Sequence, residues 1–74
     1  YELLSITLFE KNQRIVIDNL EEGVVGIFTL TGQLVNEYHV KEFDSMIVAP
    51  SQAGTYVLRV ITSDYTVGYK IQVK

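Results

Sequence analysis

A 74-residue chain with an apolar fraction of 47% suffices for one small globular domain and is too apolar for a disordered segment. Nine acidic against six basic residues leave a net charge of −3 with no lysine or arginine cluster, which argues against a nucleic-acid partner. There is no cysteine, hence no disulfide or thiolate metal site, and no apolar run approaches the ~20 residues of a membrane-spanning helix.

A chain of this size buries only about 60% of its unfolded surface, so an adjoining domain is a natural source of further support. The sequence opens at Tyr1 rather than methionine, and the expectation is a processed product or a piece of a longer protein.

In chain order, Leu3 to Phe9 alternates with Leu4, Ile6 and Leu8 on one side, the pattern of a half-buried strand. After the polar break Glu10 to Gln13, Arg14 to Asp18 is a short β-branched run. Asn19 to Gly23 reads as a turn with glycine available for positive φ. Val24 to Leu30 is apolar on both faces, as in a central strand, and Gly26 within it marks a bulge or a close backbone approach. Thr31-Gly32-Gln33 punctuates a hairpin, and Leu34 to Val40 runs back.

Lys41 to Asp44 is another polar break, and Ser45 to Val48 a further short strand. Pro50 cannot donate to a ladder and places 49–54 in a loop. The last two segments carry the clearest pattern. Tyr56, Leu58 and Val60 share one face of the first, and Val67, Tyr69, Ile71 and Val73 share one face of the second, with Lys70, Gln72 and Lys74 opposite. Ser63-Asp64 between them is a short polar link of hairpin type. No segment sustains helical spacing. Seven short strands at near-even intervals predict an all-β, seven-stranded antiparallel immunoglobulin-like β-sandwich, with a small barrel as the rival architecture.

Few residues suggest chemistry. His39 is the sole histidine, and without cysteine it cannot complete a closed zinc site. Asp18, Asn19, Glu21 and Glu22 crowd one turn with oxygen ligands of the kind calcium takes, yet without the spacing of a dedicated calcium loop. Ser5, Ser45, Ser51 and Ser63 lie in no nucleophile-elbow sequence. Five tyrosines offer stacking surface for sugars or peptide. Tyr56 and Tyr69 fall in the apolar series of their strands, which leaves Tyr38 and Tyr65 as the surface candidates. The expectation is a non-enzymatic domain with no cofactor and no metal. Exposed edge strands leave an edge-strand homodimer open.

Three segments resemble one family. Ile27 to Val35, with Thr31-Gly32-Gln33 at its centre, is similar to the strand-turn-strand segment of the C-terminal sorting domain of the type IX (Por) secretion system. Ala53-Gly54-Thr55-Tyr56 followed by an apolar strand resembles that family's Ala-Gly-x-Tyr segment. Lys70-Ile71-Gln72-Val73-Lys74 resembles its lysine-bracketed terminal strand. The family's usual Tyr-Pro-Asn-Pro opening corresponds here to Phe9-Glu10-Lys11-Asn12, without proline.

The resemblance implies a sorting module at the end of a larger secreted protein. Such a module is read by an outer-membrane secretion machinery as cargo passes through the periplasm to the cell surface. Gly32, Gly54, Tyr56, Lys70 and Lys74 are the positions that match and would meet that machinery or the adjoining cargo domain. The alternative is a stand-alone small secreted β-sandwich serving as an adhesion or binding module.

Overall fold

The computed structural model describes residues 4, 6–18, 20–41 and 47–74, and the chain there is all-β, with no helix among the described residues. Five strands form one mixed sheet: β1 (Leu8–Phe9), β2 (Glu22–Thr29), β3 (Leu34–Lys41), β4 (Gly54–Ile61) and β5 (Thr66–Val73), in the spatial order β1-β5-β4-β2-β3. The β2–β3, β2–β4 and β4–β5 pairs are antiparallel, whereas β1 lies parallel to β5. That parallel pair departs from the all-antiparallel expectation.

Of the seven expected strand segments, five are strands. The segments around Arg14 and Val48 meet instead in an isolated antiparallel bridge. The Ile15 amide donates to the Ile47 carbonyl at 2.8 Å, and the Ala49 amide to the Gln13 carbonyl at 2.7 Å. β-branched residues suit both segments, but on the Pro50 side the pairing cannot gain a further amide donor. Ser45 and Met46, expected in the second segment, lie outside the described residues.

The core lies on one side of the sheet. Val25 and Ile27 of β2, Tyr56, Leu58 and Val60 of β4, and Ile71 and Val73 of β5 are buried, and Ile15, Leu20, Ile47 and Ala49 join them in one cluster. The cross-strand rows Val25–Val60–Val67 and Ile27–Leu58–Tyr69 follow from the register. The alternation read in the last two segments therefore has the correct facing. Along the first segment it holds only at Leu4, which is buried: Ile6 and Leu8 are 54% and 49% exposed, while Phe9 is 3% exposed. Period-two alternation defines two faces without saying which one meets the core, and Phe9 wins because its ring has the larger apolar area.

Each hairpin has a local cause. In β2–β3 the Gly32 amide donates to the Thr29 carbonyl at 3.0 Å and Gly32 takes a φ of 93°, which gives a three-residue loop whose last member is left-handed. In β4–β5 the Ser63-Asp64 link has no glycine, and the Thr62 hydroxyl compensates by accepting from the Asp64 and Tyr65 amides, both at 3.1 Å. Gly23 is not in a turn as expected but within β2. It is needed there because a Cβ would lie 2.7 Å from the Ile61 carbonyl oxygen.

Candidate functional site

The register gathers four of the five positions that carry the family resemblance at one end of the sheet. β2 ends there at Thr29, opposite Tyr56, which in turn faces Ile71, while Gly54 faces Val73. Gly32 lies in the turn just beyond Thr29. Gly54 has a φ of 153°, a backbone that side-chain-bearing residues rarely adopt, where β4 leaves the 49–53 loop. Tyr56 is 7% exposed, and its hydroxyl donates to the Gln52 carbonyl at 2.9 Å, tying the loop to the strand. The Lys74 amide donates to the Phe9 carbonyl at 2.9 Å, and its ammonium lies 3.8 Å from Glu10 on the surface. Lys70, paired with Val57, is exposed on the face of the sheet away from the core, the face that Gln72 and Lys74 share by alternation. There it lines a shallow groove of about 300 Å³ with Thr7, Leu8, Thr55 and Gln72.

At the same end lies a half-open cavity of about 420 Å³, within the ~300–1,000 Å³ range of ligand pockets. Its polar lining comes from segments far apart in the chain: Asn12, Thr29, Asn36, Tyr38, Ser51 and Gln52. Asn12 occupies the turn after β1 with φ at 63°, a conformation that asparagine tolerates better than most residues. Asn36 sits at a β-bulge. The register passes from Ile27 opposite Asn36 to Phe28 opposite Leu34, so Val35 is an extra residue in β3. The bulge explains why Val35 lines the cavity together with its neighbour Asn36.

The Asn36 side-chain amide donates to the Tyr38 hydroxyl at 3.0 Å, and that hydroxyl donates on to the Val48 carbonyl at 3.4 Å. The side chains of Asn12, Ser51 and Gln52 make no hydrogen bond to another described residue. Among the described residues, no carboxylate, ammonium, guanidinium or imidazole lines the cavity. What the arrangement offers is neutral: amide and hydroxyl donors and acceptors around an apolar floor.

The remaining candidates are scattered. His39 is on the surface, with Nε2 3.3 Å from Glu37 Oε1. Asp18, Glu21 and Glu22 are exposed, and Asn19 lies outside the described residues. Among the described residues no three histidine, aspartate or glutamate side chains converge as a metal site would require. Ser5 and Ser45 are outside the described residues, Ser63 is in the β4–β5 turn, and Ser51 alone lies at the cavity. Tyr38 and Tyr65, expected on the surface, are half-buried and pack against the core, as does Tyr69. The sequence reading missed Asn12, Asn36 and Gln52. Gln52 stood beside Pro50 and Asn12 in a polar break, but nothing local marked Asn36, which lies within β3.

Among protein-family models, curated proteins and solved structures, none matches this chain.

Proposed function

We propose that this chain is a non-enzymatic C-terminal sorting module, read by an outer-membrane secretion machinery and carried through the periplasm to the cell surface. In this reading it is a reduced immunoglobulin-like sandwich, with the bridged segments around Arg14 and Val48 forming the second layer. The observation that carries it is the gathering of Gly32, Gly54, Tyr56 and Lys74 at one end of the sheet. Two turn glycines with positive φ and a tyrosine that ties down the intervening loop give that end a defined backbone shape, with a cation at its rim. A partner could recognise that surface as a unit. Lys70, one register row in from Tyr56 and on the face that Lys74 shares, contributes a second charge.

The test is export of a reporter fused ahead of residues 1–74 in a host that carries this secretion system. The reporter should reach the surface, and Lys74→Glu should lower surface display while circular dichroism stays unchanged. Retention of the unmodified fusion inside the cell rejects the sorting role.

A second reading, a secreted adhesion or binding module, is favoured by one specific observation, the neutral half-open cavity. β3 is also an open edge among the described strands, to which an adjoining domain or a second copy could add a strand.

A further inference from the structure

We infer that the cavity between the 48–52 loop and the β2–β3 end of the sheet is a binding site for an uncharged, hydroxyl-rich ring, that is, a neutral pyranoside. The inference deepens the binding-module reading and is independent of the sorting role.

Three features select this chemistry. The first is charge. A phosphate, carboxylate or ammonium ligand would need a counter-charge to offset its desolvation, and none of the described lining side chains supplies one at neutral pH. The second is the type and state of the polar groups. Carboxamides and hydroxyls both donate and accept, which matches the dual character of sugar hydroxyls. The side chains of Asn12, Ser51 and Gln52 have no partner among the described residues, and Asn36 uses only one of its two side-chain N–H groups, on Tyr38. These groups can therefore bind a ligand without breaking a hydrogen bond within the protein.

The third feature is shape. The polar groups arrive from the turn after β1, the bulge of β3 and the loop before β4, so they surround the cavity rather than line one strand. An extended peptide would need a continuous groove or an open edge, whereas a ring carries hydroxyls around its whole perimeter. Val35 and Pro50 add apolar surface of the kind that the C–H face of a pyranose covers.

The experiment is a titration of the ¹⁵N-labelled full chain, followed by amide chemical shifts. The probes are methyl β-D-glucopyranoside, methyl β-D-galactopyranoside and methyl α-D-mannopyranoside. Glucuronate and a neutral extended hexapeptide serve as comparators. At least one neutral pyranoside should shift the Asn12, Asn36, Ser51 and Gln52 amides saturably. Asn36→Ala and Gln52→Ala should each weaken it tenfold or more while the rest of the spectrum stays dispersed.

The inference is overturned by absence of saturable shifts at millimolar ligand, by equal binding of glucuronate, or by shifts that survive both substitutions. Binding of the peptide instead of the sugar at the same amides also overturns it. None of these outcomes bears on reporter export, so the sorting proposal stands or falls separately.

Discussion

The guanidinium carbon of Arg59 lies 5.3 Å from the centroid of the Phe28 ring, on the face of the sheet away from the core. The same ring lies over Gly26, where a Cβ would come within 2.7 Å of Phe28 Cε1, and Gly26 is the register partner of Arg59. Three side-chain positions on adjacent strands are thus stacked: a glycine that leaves room, a ring that fills it, and a cation over the ring. This half-exposed stack covers backbone on a face where no second layer packs among the described residues. A cation–π contact at such a site contributes about 0.5–1 kcal/mol. In a double-mutant cycle, Arg59→Gln and Phe28→Leu should show a coupling energy of that order by urea denaturation. Additive effects would mean that the two side chains do not interact in solution.

Two glycines should respond differently to the same substitutions. At Gly32 there is open space but a φ of 93°, so Gly32→Ala should cost about 1–2 kcal/mol through the backbone alone. Gly32→Asn should recover much of that, because asparagine accepts the left-handed region. At Gly23 the obstacle is the Ile61 carbonyl oxygen 2.7 Å from the added carbon. Gly23→Ala should cost about 1–3 kcal/mol by forcing β2 and β4 apart, and Gly23→Asn should be worse still. Rescue by asparagine at position 23 would contradict this distinction.

Tyr56 combines a buried ring with a hydroxyl that holds the loop. Tyr56→Phe removes only the bond to the Gln52 carbonyl and should cost about 0.5–1.5 kcal/mol. Tyr56→Ala also empties the ring's place in the core and should cost about 3–5 kcal/mol. Equal losses from the two substitutions, measured by thermal unfolding, would show that the ring contributes nothing beyond its hydroxyl.

Thr62 does the work a glycine usually does in a two-residue hairpin. Its hydroxyl accepts from the Asp64 and Tyr65 amides, so Thr62→Val, which keeps the shape and removes the acceptor, should destabilise by about 1 kcal/mol. Thr62→Ser should be nearly neutral. Hydrogen exchange at the Asp64 and Tyr65 amides should accelerate in the valine variant and not in the serine variant.

The antiparallel pairing of the last two segments, the face they bury and the hairpin at Gly32 were all legible from residue order. Each depends on local rules: side chains alternate along a strand, and glycine and threonine satisfy turns within a few residues of themselves. The all-β character followed from the same rules, whereas the expected seven antiparallel strands did not. Tertiary structure decided the rest. Ile6-Leu8 and Phe9 offer two opposite faces, and only docking of β1 parallel to β5 puts Phe9 in the core. The pairing of Arg14 with Val48 joins segments far apart in the chain, and no local signal specifies it. The cavity arises in the same way. Asn12, Asn36 and Gln52 are unremarkable polar residues in sequence and acquire a common purpose only when a turn, a bulge and a loop converge at one end of the sheet.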